Sequence, residues 1–133
     1  MKTTEIGRIL LADDGSEPAD RARRLAVELA AQHHAKLSIV YVQEPFQDEA
    51  DAQRTVAVAR SMAEDRNVSY DVMTEAPVGI TNPGRRIVTA AEDCAADIIV
   101  IGARGLGGIG RLLLGSVSSY VVHHAPCSVL VAR

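Results

Sequence analysis

Two loops of this chain, each following an apolar run, hold glycine beside residues able to do chemistry. The first is Asp13-Asp14-Gly15-Ser16, which follows the apolar run 9–12. The second, residues 102–116, reads Gly-Ala-Arg-Gly-Leu-Gly-Gly-Ile-Gly-Arg-Leu-Leu-Leu-Gly-Ser and follows the apolar run 98–101. Glycine costs conformational entropy unless a tight turn or a close ligand needs it. A glycine cluster at the end of a buried strand is therefore either a complicated turn or a cradle of backbone N–H groups for an anion. No acidic residue follows Asp97, whereas Arg104, Arg111 and Arg133 do, so an anion bound there would be unopposed.

The spacing separates the possible cradles. A literal Gly-x-Gly-x-x-Gly stands at Gly105, Gly107 and Gly110. It lies several residues past the strand, no Asp or Glu follows to hold a ribose, and one strand remains after it, all of which count against a dinucleotide fold. There is no Gly-Lys-Ser/Thr, so the P-loop lysine of motor and switch hydrolases is missing. The wider frame is more telling: Gly102-x-x-Gly105, nine residues, then Gly115-Ser116 opening a helix. Backbone N–H groups at Gly105 and around Gly115 can turn toward one anion, Ser116 and Ser118 add hydroxyls, and the helix start adds partial positive charge. Ser116 also suits a helix N-cap, and the two roles are compatible. Asp14 either caps its own turn or contacts a ligand. Arg104 and Arg111 are either cations for terminal phosphates or solvated surface groups.

Bond-making machinery is absent from the pattern. No Cys/His or Ser/His/Asp set can be assembled and Gly-x-Ser-x-Gly is missing, so no catalytic residue is assigned. His33-His34 and His123-His124 lack the cysteine or carboxylate company of a zinc site, and the second pair suits the end of a helix. Cys94 and Cys127 read as buried free thiols of a reducing compartment.

The elements that must position these groups alternate. Strands are expected at 8–12, 36–42, 68–72, 97–102 and Ser128–Ala132, with helices from Ser16 to about His33, at 47–66, at 85–95 and at Ser116–His124. Ala22, Leu25, Ala26, Leu29 and Ala30 form the apolar face of the first helix, with Arg21, Arg24, Glu28 and Gln32 on its wet side. Val56, Ala59, Met62 and Ala63 line the second, and Ile87, Val88, Ala91 and Cys94 the third. The near-continuous apolar strands suggest burial on both faces, while alternation at 68–72 marks an edge. A βα repeat of this kind gives a mainly parallel sheet with helices on both faces, and its ligand crevice lies beyond the carboxyl ends of the strands where their order reverses. Asp13, Asp14 and the glycine cluster meet there if the first and fourth strands are neighbours.

At 133 residues the chain fits one domain, 1–133. Only 3% of residues are aromatic, so the core is built from Ala, Val, Leu and Ile, and recognition of nucleic acid by stacking is disfavoured. The net charge of −3 gives no general attraction to DNA or to an anionic membrane. No signal peptide or membrane span is visible, and a cytoplasmic location is expected.

Over essentially its whole length the chain resembles the universal stress protein A family. The resemblance rests on Ile-Leu-Leu-Ala-Asp-Asp-Gly-Ser at 9–16, Ile39-Val40-Tyr41-Val42, the run 96–132 with its Ala-Pro-Cys-Ser-Val-Leu-Val, and above all Gly-x-x-Gly-x9-Gly-Ser. It implies a Rossmann-like, adenine nucleotide alpha hydrolase-like sheet of five strands in the order 3-2-1-4-5, and ATP (or AMP or ADP) as ligand, with Mg2+ carried by the phosphates and Asp13 a candidate to reach the metal through water. In that family's nucleotide-binding branch the base-contacting carboxylate falls on Asp14, beside Ala12 and Asp13, and the base packs on Val42. Phosphate and ribose contacts fall on Gly102, Gly105, Gly115, Ser116, Val117 and Ser118, with Arg104 nearby. It further implies a homodimer through Ser128–Ala132, a regulatory or sensor role in stress response, and an unidentified client protein. The chain departs from the family pattern at 79–84, where Gly-Ile-Thr-Asn-Pro-Gly replaces a Gly-Asp/x-Pro stretch. The extra glycines at 107, 108 and 110 raise the entropic cost of ordering the loop, so a modest affinity is expected. Two other readings stay open: a nucleotide-independent dimerisation or interaction module, and a weak magnesium-dependent ATP hydrolase.

Overall fold

A computed structural model describes residues 5–42, 48–73, 82–103 and 114–133. The elements run β1 (Arg8–Asp13), α1 (Glu17–His33), β2 (Lys36–Tyr41), α2 (Glu49–Asp65), β3 (Tyr70–Met73), α3 (Pro83–Asp93), β4 (Ile98–Gly102), α4 (Ser116–His124) and β5 (Ser128–Ala132). The sheet has the order β3-β2-β1-β4-β5, and each neighbouring pair is parallel. The expected order is thus found, and "mainly parallel" sharpens to wholly parallel among the described strands.

The pleat sends alternate side chains to opposite faces. Ile9 and Leu11 join Leu37, Ile39 and Val100 beneath α1 and α2. Leu10 and Ala12 join Val40, Ile99 and Ile101 beneath α3 and α4. Because β1 is covered on both sides, residues 9–12 have almost no exposed surface. On α1, Ala22, Ala26 and Ala30 face the sheet, and such small side chains let the helix axis sit close to the strands. Ser16 caps α1, and Pro18 occupies its first turn, where a missing N–H is harmless. His34 ends the helix in the left-handed region at φ 52°, letting the Ala35 N–H return to the Ala30 carbonyl.

Several expected boundaries and faces move. Helix α3 begins at Pro83, not residue 85, because the Asn82 side chain accepts from the Gly84 and Arg85 N–H groups and caps it. Asp48 and Asp51 cap each other's backbone N–H at the start of α2, which places the entry at Glu49. Strand β3 is shorter than expected, since the Val68 N–H closes back on Ala63 before the ladder starts at Tyr70. Leu25, expected inside, is 36% exposed, while Arg23 on the same helix is buried. Cys94 and Cys127 are free but half-buried rather than buried, and burial pushes both thiols up from their ordinary value.

Helices α3 and α4 pack where Gly84 offers no side chain. A Cβ there would lie 2.7–2.9 Å from Tyr120 atoms, closer than real contacts allow. Gly84→Val is therefore expected to lower the unfolding free energy by about 1–3 kcal/mol, read by urea titration. Adding Tyr120→Ala should restore part of that loss, because it removes the atoms the new side chain meets.

Candidate functional site

β1 and β4 run side by side with Ala12 opposite Ile101. From β1 the chain turns to α1 on one face, and α4, the helix following β4, lies on the other. The carboxyl ends of these two strands therefore bound a crevice, as expected where strand order reverses. The cleft there is walled by the apolar side chains of Ala12, Val42, Ile87, Ile101 and Val117. Asp14, Ser16 and Ser118 supply its polar groups, and Pro18, Ala19 and Gly102 close one end. It encloses about 370 Å³ including its open mouth.

The turn that carries Asp14 is fixed from within. Asp13 Oδ1 accepts the Gly15 N–H at 3.0 Å and Asp14 Oδ1 accepts the Ser16 N–H at 2.9 Å. The Ser16 hydroxyl donates to Asp14 and in turn accepts the Ala19 N–H, capping α1. Gly15 sits at φ 78°, and a Cβ there would lie 2.4 Å from Thr55 Oγ1. Glycine is required on both counts, conformation and space. Asp14 therefore does hold its own turn, and it is also one of the residues lining the cleft.

Asp13 departs from expectation. Its side chain is fully buried and points to the α1 side, where Arg23 Nε and Nη2 donate to its two oxygens at 2.7 and 2.8 Å. Asp13 is not among the residues lining the cleft, and its carboxylate is directed to Arg23. Arg23 Nη1 reaches Asp20 at 3.1 Å, and the second Asp20 oxygen takes Arg24 Nε at 2.8 Å. Burial alone would lower the Arg23 guanidinium, but the hydrogen bonds and field of Asp13 raise it above its usual value. The Arg24 hydrogen bond, aided by Arg23, holds Asp20 below the ordinary carboxylate range.

At the other wall, Ser118 is 2% exposed and its hydroxyl donates to the Gly102 carbonyl at 2.9 Å. Helix α4 is capped by Gly115, at φ −63° and ψ 163°, with no side-chain cap hydrogen bond. Ser116, expected as a possible N-cap, is instead the first helical residue with its side chain exposed. The first turn of α4 thus presents backbone N–H groups that no side chain of the cap covers.

Of the residues singled out in the sequence, Ala12, Asp14, Val42, Gly102, Val117 and Ser118 share one cleft, and Gly115 and Ser116 start the helix that carries two of them. Arg104 and Gly105, like Gly107, Gly108, Gly110 and Arg111, lie outside the described residues. Sequence reasoning missed Ser16, Pro18, Ala19, Ile87 and Ile101 as lining residues. For Ile101 the signal was available, since it shares the pleat face of Ala12. It also missed Arg23, a charge at a position three residues from the Asp20 carboxylate that helical periodicity alone does not mark as buried.

The fold and cleft together define a doubly wound α/β protein with an apolar-walled crevice at its switch point. A family model described as the universal stress protein family matches residues 5–133. The chain belongs to that family. A universal stress protein of Thermus aquaticus is 40% identical over 133 residues, covering 94% of this chain and 97% of that protein. A universal stress family protein from Burkholderia pseudomallei superposes with a TM-score of 0.72 at 28% identity, over 98% of each chain. A universal stress protein crystallised in complex with cAMP superposes with a TM-score of 0.70 at 25% identity, again over 98% of each.

Removing the Ser118 hydroxyl deprives the Gly102 carbonyl of a buried donor. Ser118→Ala should cost about 1–3 kcal/mol of unfolding free energy, a loss that chemical denaturation will measure directly.

Proposed function

We propose that this chain binds an adenine nucleotide in the cleft between β1, β4 and α4, with ATP the leading ligand and AMP or ADP as alternatives. It would act as a small regulatory or sensor protein of the stress response. The observation that supports this best is the convergence of Ala12, Asp14, Val42, Gly102, Val117 and Ser118 on one crevice beside an α4 N-terminus with no side-chain cap. The chemistry of the lining fits such a ligand. A flat apolar base suits walls of Val42, Ile87, Ile101 and Val117, and the Asp14 carboxylate is an acceptor for an exocyclic amino group. Phosphates suit the backbone N–H groups and partial positive charge at the start of α4. Arg104 and Gly105 belong to the same proposed site by sequence. Mg2+ would arrive with the phosphates; among the described residues no three His, Cys, Asp or Glu side chains group to hold a metal.

The relative solved with cAMP supports a nucleotide as the class of ligand. A homodimer through β5 belongs to the same reading, because β5 is an edge strand with Val129, Leu130 and Val131 only half-buried, and an unpaired apolar edge invites a second strand. A cytoplasmic location and a client protein complete the proposal. Among the described residues no helix is long and apolar enough to cross a membrane.

Calorimetry with ATP, AMP and cAMP at millimolar ligand tests the central claim, and absence of heat for all three overturns it. Gly115→Val should abolish binding while leaving the native mass measured by light scattering unchanged. If binding is absent in the natural chain yet the dimer persists, the interaction-module reading replaces this one. Magnesium-dependent release of phosphate that disappears with Gly115→Val would instead establish a slow hydrolase.

A further inference from the structure

Two adjacent carboxylates, Asp13 and Asp14, end β1 beside a cleft proposed to take a polyanion. The pleat separates them. Ala12 and Asp14 are turned to the cleft, while Asp13, in step with Ile9 and Leu11, is turned to the α1 side and has no exposed surface. A fully buried carboxylate needs a partner, and Arg23 donates to each of its oxygens from α1 at 2.7 and 2.8 Å. Such a pair adds little stability over apolar residues of the same size, so stability alone gives no reason for it. Its geometry does. Asp13 Oδ1, gripped by Arg23, also accepts the Gly15 N–H at 3.0 Å. Asp14 is therefore bracketed between Asp13, which the guanidinium holds, and Gly15, which Asp13 holds in turn. The far side of the turn is backed by Thr55 against Gly15, and Arg23 is itself steadied by Asp20. The guanidinium also neutralises Asp13, leaving Asp14 as the carboxylate among the described lining residues.

We propose that Arg23 is a positioning residue for base selection: through Asp13 and Gly15 it aims the Asp14 carboxylate into the cleft, so that the cleft favours a purine bearing an exocyclic amino group over one bearing an oxo group at the same position. Asp14 can only accept a hydrogen bond, so an amino group satisfies it and an oxo group repels it. The pair acts without touching the ligand. This inference rests on the nucleotide reading of the cleft.

The test compares ATP with inosine triphosphate, which differs at that position, by calorimetry on the full chain. The natural protein should prefer ATP by about tenfold or more, the scale of one hydrogen bond to a charged group. Arg23→Met should bring the ratio close to one, and Arg23→Lys, which keeps the charge but loses the two-pronged grip, should fall between. Val27→Ala, a core truncation on the same helix, should lower the melting temperature yet keep the ratio. A folded Arg23→Met variant with the natural ratio overturns the inference. If that variant does not fold, an unchanged ratio in Arg23→Lys overturns it equally. A natural protein that binds both nucleotides alike overturns the inference alone, whereas one that binds neither overturns the nucleotide reading with it.

Discussion

The structure depends on the burial of β1 from every direction. It pairs with β2 on one side and β4 on the other, and its side chains enter both core layers. Each fully buried Ile or Leu contributes about 1.5–3 kcal/mol relative to exposure, so this strand anchors both layers at once. Its central position also makes the site. With β1 in the middle, the connection to α1 leaves on one face and the helix after β4 lies on the other, and the carboxyl ends of the two strands are left facing an open crevice.

Much of this is written in local patterns. The apolar runs 9–12, 37–42 and 98–101 are too continuous for half-buried strands, and they proved to be the three central strands. The alternation at 68–72 marked an edge, and β3 is one. The glycine frame pointed to the cleft because Gly102 ends β4, where α1 leaves no room for a side chain, and Gly115 opens α4. What the sequence did not disclose depends on contacts between distant elements. Nothing in α1 read alone says that Arg23 turns inward, since its reason is Asp13 at the end of β1. The exposure of Leu25 has the same origin: the helix is rotated so that Arg23 meets Asp13 and the alanines meet the sheet. The start of α3 at Pro83 was missed because the capping oxygen belongs to Asn82, upstream of the helix expected at 85–95.

The two walls of the cleft are built by different means. On the β1 side, side chains hold one another: Asp13 with Arg23, Asp14 with Ser16, Gly15 against Thr55. On the β4 side, a hydroxyl from α4 engages a strand carbonyl, Ser118 to Gly102. That bond uses the Ser118 proton locally and leaves the oxygen only as an acceptor, so the backbone of the first turn of α4 is the stronger source of donors there. The described ends of the glycine-rich segment lie where the chain leaves a strand, at Gly102, and enters a helix, at Gly115.

The contact between Gly102 and α1 has a practical consequence. A Cβ on Gly102 would lie 2.9 Å from the Pro18 carbonyl oxygen and 3.1 Å from its carbon, so one end of the cleft is formed where main chain meets main chain. Nothing at that end can be trimmed. Any widening of this cavity must come instead from the apolar side chains that line it, Val42, Ile87 and Val117 among them.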